Sequence, residues 1–179
     1  MSAKPDANGR VSLLIDDRSS DSLHIAGDRV WRIVTDTVMG GVSSATLEPA
    51  RTQDRNCLRM RGDVSLENNG GFVQATLDLV PNGFLDASAY LGIEIDVCGN
   101  GESYNLHLRT ADTRIVWQSY RAGFIADSRW QTLKIPFQSF HPHRIDTPLD
   151  TAHLRRLGVV AIGRAMQADI SIGRLALYA

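Results

Sequence analysis

Apolar and polar residues alternate with a period of two along most of the chain. From Leu58 to Leu66, the positions Leu58, Met60, Gly62, Val64 and Leu66 share one face, while Arg59, Arg61, Asp63, Ser65 and Glu67 share the other. That spacing belongs to a strand with one buried face, not to a helix. After Asn69-Gly70 the pattern resumes with Val73, Ala75, Leu77 and Leu79, opposite Phe72, Gln74, Thr76 and Asp78. It returns at Leu91, Ile93, Ile95 and Val97, and again, after Asn100-Gly101, at Tyr104, Leu106 and Leu108, which alternate with Asn105, His107 and Arg109. Asn-Gly between alternating runs is a hairpin signal, so two hairpins are predicted. A one-residue slip would expose a whole apolar set, at about 1.5–3 kcal/mol for each large side chain, so register is strongly specified.

The remaining pattern predicts further short strands over 11–15, 30–34, 43–48 (stopped by Pro49), 115–124, 133–137, 157–162 and 169–178. In the last, the apolar phase moves from Ile170 and Ile172 to Leu175 and Leu177, and Gly173 between them is the natural bulge. Pro136 suits an edge strand or a strand end. Residues 50–56 and 141–148 read as loops, and 150–156 is the best helix candidate, with Asp150 able to cap and Arg155 and Arg156 suited to a helix end. Many short strands with frequent turn signals predict an all-β, antiparallel sandwich or barrel. Residues 1–10 read as a polar, flexible N-terminus, and 11–179 as a single β-sandwich domain.

Length agrees with this: 179 residues with 43% hydrophobic content can bury roughly 70% of the surface exposed by the unfolded chain. Nineteen basic and twenty acidic residues leave a formal charge of −1, which gives no global field for nucleic acid or an anionic membrane. The apolar run 11–15 is too short for a signal peptide core or a membrane span, so a cytoplasmic protein without membrane insertion is expected. Cys57 and Cys98 belong to no metal or CxxC spacing and read as free apolar residues.

Two Gly-Gly pairs frame the most informative stretch, Trp31 to Phe72. One lies in Asp36-Thr-Val-Met39-Gly40-Gly41-Val-Ser43 and the other in Asn68-Asn69-Gly70-Gly71-Phe72. Paired glycines mark backbone with positive φ or close approach to another group. The string Trp-x4-Asp-x-Val-Met-Gly-Gly-Val-Ser, followed by Gly-x-Val-Ser-Leu-x-Asn-Asn-Gly-Gly-Phe, resembles the signature of the complex I intermediate-associated protein family, whose mitochondrial member helps assemble NADH:ubiquinone oxidoreductase. The similarity continues through Tyr104-Asn-Leu-His-Leu-Arg109 and Trp130 to Phe137. It implies a galactose-binding-like jelly-roll sandwich and a protein partner, with respiratory-complex subunits as the family's example.

The residues themselves offer two candidate surfaces. Asp36, Met39, Gly40, Gly41 and Ser43 with Asn68, Asn69, Gly70, Gly71 and Phe72 form either a binding platform or self-capped turns in which Asp36 holds backbone amides. Asn105, His107 and Arg109 on one strand face, beside Trp117, form either a sugar- or peptide-binding floor or a solvated sheet face. The aspartates 16, 17, 21 and 28 match no calcium loop, and His141-Pro-His143 lacks a third ligand, so no metal or other cofactor is expected. There is no GxSxG, GxxxxGK[ST] or HExxH sequence, and no catalytic residue is assigned. The reading is a non-catalytic β-sandwich that binds a protein partner, with a carbohydrate-binding module as the alternative and an unrecognised hydrolase behind both.

Overall fold

In the computed structural model, residues 3–5 and 9–179 are described. Among them the strands are β1 (Ala3–Pro5), β2 (Val11–Asp16), β3 (His24–Ile25), β4 (Arg29–Thr35), β5 (Ser44–Thr52), β6 (Arg55–Val64), β7 (Phe72–Asp78), β8 (Gly92–Gly99), β9 (Ser103–Thr110), β10 (Ser119–Ile125), β11 (Gln131–Pro136), β12 (His141–His143), β13 (Leu154–Ile162) and β14 (Met166–Tyr178). They form two antiparallel sheets. The first runs β1-β2-β14-β6-β5, with β8 on the other edge of β14 and β11 outside β8; the second runs β12-β10-β9-β13-β7-β4-β3. This is the jelly-roll sandwich. Part of the expected flexible N-terminus, residues 1–2 and 6–8, lies outside the described residues; Ala3–Pro5 pairs with β2.

The apolar faces meet between the layers. Leu58, Met60, Ile95, Val97, Ile170 and Ile172 come from the first sheet, Val73, Leu77, Tyr104, Leu106, Leu108 and Val159 from the second, all in one buried cluster. Leu66 and Leu91, which the alternation assigns to the core, are exposed because β6 ends at Val64 and β8 begins at Gly92. One carboxylate matches two buried groups: Trp31 Nε1 donates to Asp16 Oδ2 at 2.9 Å, and Arg18 Nη1 meets the same carboxylate at 2.9 Å. Unpaired, such groups would each cost about 1–3 kcal/mol.

Several sequence expectations are corrected. Neither Asn-Gly step makes a hairpin: β6 and β8 belong to the first sheet, β7 and β9 to the second, so both steps carry the chain between layers. The two-residue hairpin is at Gln53-Asp54, joining β5 to β6, with φ of 46° and 63°; positive φ at both central residues matches the strand twist. Pro49 does not stop β5, because β5 is an edge strand and its missing N–H is tolerated there. The helix candidate is a single 3-10 turn, Thr151–His153, capped by Asp150, after which the chain is already in β13. The strand expected over 115–124 starts only at Ser119, and the expected loop at 141 opens with β12 on β10. The Gly173 bulge is present: β14 shifts register against β8 between Ile172 and Leu175. Cys57 and Cys98 are buried and free.

Candidate functional site

The segment after β4 folds into a 3-10 turn, Asp36–Met39, closed by Gly40 at φ 85° and by the Gly41 amide on the Asp36 carbonyl. This turn directs the Asp36 side chain inward, where it is 0% exposed. Its Oδ1 accepts from the Ser43 amide at 2.9 Å, and its Oδ2 from Ser43 Oγ at 2.5 Å, from the Gly71 amide at 2.6 Å and from the Phe72 amide at 3.3 Å. Ser43 Oγ in turn accepts from the Ser65 amide at 2.9 Å. One carboxylate thus ties the β4–β5 connection to the β6–β7 connection across the gap between sheets. Burial would raise its pKa, but the bonds from Ser43, Gly71 and Phe72 outweigh that and hold the carboxyl below its usual value.

Both glycine pairs are explained by this clasp. Gly40 and Gly71 take positive φ, 85° and 137°. Gly41 and Gly70 instead make room: a Cβ on either would collide with the Asp36 carboxylate. Each pair therefore combines one glycine required by conformation with one required by close approach.

The clasped loops form one end of a cleft of about 590 Å³ over the outer face of the second sheet. Its floor is a cross-strand row set by register: Arg121 of β10 lies opposite His107 of β9, His107 opposite Gly158 of β13, and Gly158 opposite Thr76 of β7. Gly158 leaves the middle of that row without a side chain. One lip is Val38 and Met39, 70% and 58% exposed; the other is Val116 and Trp117, 69% and 54% exposed. The second lip is held by Arg109, whose guanidinium donates to the carbonyls of Thr113 at 2.8 Å, Ile115 at 3.2 Å and Val116 at 3.2 Å, and by Gln118 Oε1, which accepts from the amides of Arg114 and Ile115. Burial, with Arg156 and Arg155 nearby, lowers the Arg109 pKa.

Met39, Asn69, Gly70, Gly71, Phe72, His107, Arg109 and Trp117, all singled out from sequence, line this cleft. The remaining candidates do not. Asp36 and Ser43 are buried beneath it, with Gly41; Gly40 and Asn68 are in its exposed loops, and Asn105 lies on the same strand face beyond its end. Arg121, Gln74, Val38, Val116 and Gly158 were not among the sequence candidates. Arg121 was within reach, since Ser119, Arg121 and Gly123 alternate with Tyr120 and Ala122. Val38 and Val116 carry no such sign, because an exposed valine in a turn is unremarkable until its opposite lip is known.

The chemistry of the cleft is one-sided. Its lining holds His107, Arg109, Arg121 and Arg156 and, among the described residues, no carboxylate. Arg156 is matched outside by Asp78 at 2.6 Å. Burial, then Arg121 and His143, pushes the His107 pKa down to about 3, so its imidazole is neutral near pH 7. A neutral imidazole on this floor can donate or accept a hydrogen bond. Among the described residues no group of three or more His, Cys, Asp or Glu side chains is placed to hold a metal, and Asp16, one of the aspartates weighed for calcium, is taken up by Trp31 and Arg18. No helix of the described residues is long and apolar enough to cross a membrane.

The family model described as Complex I intermediate-associated protein 30 (CIA30) matches residues 19–174. No curated protein matches the chain. Among solved structures it is similar to the family 11 carbohydrate-binding module of the cellulosomal cellulase Lic26A-Cel5E of Clostridium thermocellum, with 14% identity over 93% of each chain and a TM-score of 0.73. A family 11 module from the same organism, in complex with a β-1,3-1,4-mixed-linked tetrasaccharide, gives 15% identity over 93% of this chain and 94% of that one, TM-score 0.69. The family 30 module of the C. thermocellum cellulase Cel9D-Cel44B gives 16% identity over 93% and 96%, TM-score 0.60. At such identities the shared property is the fold.

Proposed function

Because the chain belongs to the complex I intermediate-associated protein 30 (CIA30) family, we propose that it is a non-catalytic binding domain that holds a segment of another polypeptide in the cleft over its second sheet, in the service of assembly. The observation that carries this is the pair of exposed apolar lips, Val38-Met39 and Val116-Trp117, facing each other across a hydrogen-bonding floor. Aliphatic lips are complementary to aliphatic side chains, and a concave sheet face with polar groups between them suits extended backbone. The clasp beneath Met39 and the Arg109 bonds beneath Trp117 order both lips in advance, which lowers the entropy lost on binding.

A second reading is favoured by Trp117 together with His107 and Arg109 in that same cleft, and by the likeness to carbohydrate-binding modules: an aromatic face can stack on a sugar ring while the floor bonds its hydroxyls. The two readings separate on the aliphatic lip. In affinity purification from the native cell, Val38→Ser with Met39→Ser should remove co-purifying polypeptides, respiratory-complex subunits among them, while leaving the melting temperature nearly unchanged. Recovery of background proteins only by the unmodified chain, combined with a glycan-array signal that Trp117→Ala abolishes, would reverse the choice.

A further inference from the structure

Four side chains of basic residues face the cleft, His107, Arg109, Arg121 and Arg156, and they are not equally occupied. Arg109 is committed to three loop carbonyls and Arg156 to Asp78. Arg121 makes one side-chain bond, Nε to Ser119 Oγ at 2.9 Å, which leaves both of its Nη groups without a partner among the described residues. No described carboxylate lies within ion-pair distance of it, although its flank is half-buried. Directly across the strand pairing lies His107, whose Nε2 is buried and has no hydrogen-bond partner. Buried polar atoms are almost always matched, so an orphan at the floor of an open cleft marks a place where a ligand atom belongs. On the other side of His107 stands Gly158, where a Cβ would meet Gln74 Oε1 at 2.8 Å, so the room left by the missing side chain is taken by the Gln74 amide, a further polar group on this floor.

We infer that the cleft is selective for an acidic segment, an extended polypeptide that sets a carboxylate on Arg121 and His107 while its flanking apolar side chains rest on the Val38-Met39 and Val116-Trp117 lips. This rests on the peptide reading above and adds the charge of the ligand. The two Nη groups of Arg121 present a planar fork that matches the two carboxylate oxygens, and a neutral His107 in the tautomer that donates from Nε2 adds a third donor. The absence of any acid from the described lining removes the repulsion that would otherwise oppose a carboxylate. An acidic sugar could present the same charged group. Three aliphatic residues in the lips, Val38, Met39 and Val116, would then face hydroxyls they cannot bond, so a polypeptide is the better match.

The test uses the full chain and fluorescence polarisation with two labelled ten-residue peptides of alternating Leu and Ser, one with a central Glu and the other with a central Gln. Tri-galacturonate is the acidic-sugar probe. The Glu peptide is expected to bind about tenfold or more tighter than the Gln peptide, and Arg121→Gln is expected to erase the difference by weakening the Glu peptide alone. Should that variant melt early, Arg121→Lys, which keeps the charge and loses the fork, is expected to give a several-fold loss. Equal affinities for the two peptides, unchanged by either variant, overturn the carboxylate receptor and leave the peptide reading standing. Binding of tri-galacturonate but of neither peptide overturns both, as does failure of all three probes to bind.

Discussion

Asp36 accepts four hydrogen bonds from two loops that are far apart in sequence, and every donor but one is a backbone amide. Its removal would strand those donors in a buried place, at about 1–3 kcal/mol for each that finds no substitute. The glycines beside it make a sharper test than the carboxylate itself. Gly41→Ala and Gly70→Ala force a Cβ into the Asp36 carboxylate, whereas Gly40→Ala meets nothing within 4 Å and carries only the strain of positive φ. Chemical denaturation should therefore rank Gly41→Ala and Gly70→Ala well above Gly40→Ala, whose cost is about 1 kcal/mol. Acid separates two groups with the same sign. The pKa values of Asp36 and His107 are both lower folded than unfolded, so each supplies stability that is present above its unfolded pKa and lost as pH falls toward its folded one. For His107 the window runs from about 6.5 down to about 3; for Asp36 it lies below the ordinary aspartate value of 3.8. Melting temperatures across pH should fall less steeply between 6.5 and 4 in His107→Gln, while Asp36→Asn, less stable at neutral pH, should lose less on going below pH 4.

At the scale of elements, the connections decide what the alternation cannot. Between β8 and β9 there are three residues, 100–102, enough to reach roughly 10 Å, the spacing of packed sheets. Asn100 fixes this corner from both sides: its Nδ2 donates to the Gln167 carbonyl of β14 in the first sheet at 3.0 Å, and its Oδ1 accepts from Tyr104 Oη of β9 in the second at 2.7 Å. Asn100→Ala should lower unfolding free energy by about 0.5–1.5 kcal/mol for each of its two bonds with no loss at the cleft, measured by urea titration and peptide binding on the same sample. This corner also shows where sequence reasoning stops. The period of two identified the inward faces of β6, β7, β8 and β9, because burial acts on each residue alone. It said nothing about which sheet comes next, since Asn-Gly serves a hairpin and a corner equally well, and the partner of Asn100 is 67 residues away. In the same way, the glycine pairs drew attention to the right turns, and Asp36 holding backbone amides was one of the two readings they offered, but that Ser43 of one turn and Gly71 of the other meet on its single carboxylate was not legible. Phe72, His107, Arg109 and Trp117 were legible as polar or aromatic residues in suggestive places, and Met39 by its position beside a glycine pair; that they share a cleft depends on the crossover that folds 66–71 over the second sheet.

Across the whole molecule, two layers share one apolar interior, and the central strands are covered on both edges. β14 lies inside the first sheet, and β9 and β13 lie inside the second, whose short outer strands are β3 and β12. Amides of Leu106 and Val159 should exchange with solvent only through global unfolding, and those of β12 and β3 faster by factors of about 10³ or more, as read by native-state hydrogen exchange. If the two were equally protected, the sheet order described here would be wrong. The position of β14 bears on how such a chain is made. It receives β6 along Met166–Ile172, β2 along Leu175–Leu177 and β8 on its opposite edge, so three earlier strands have their partner in the last thirteen residues of β structure. On the ribosome those strands emerge first and must wait with open edges until β14 is made. During that interval the unpaired edges of β2, β6 and β8 are the surfaces of this chain most in need of a chaperone.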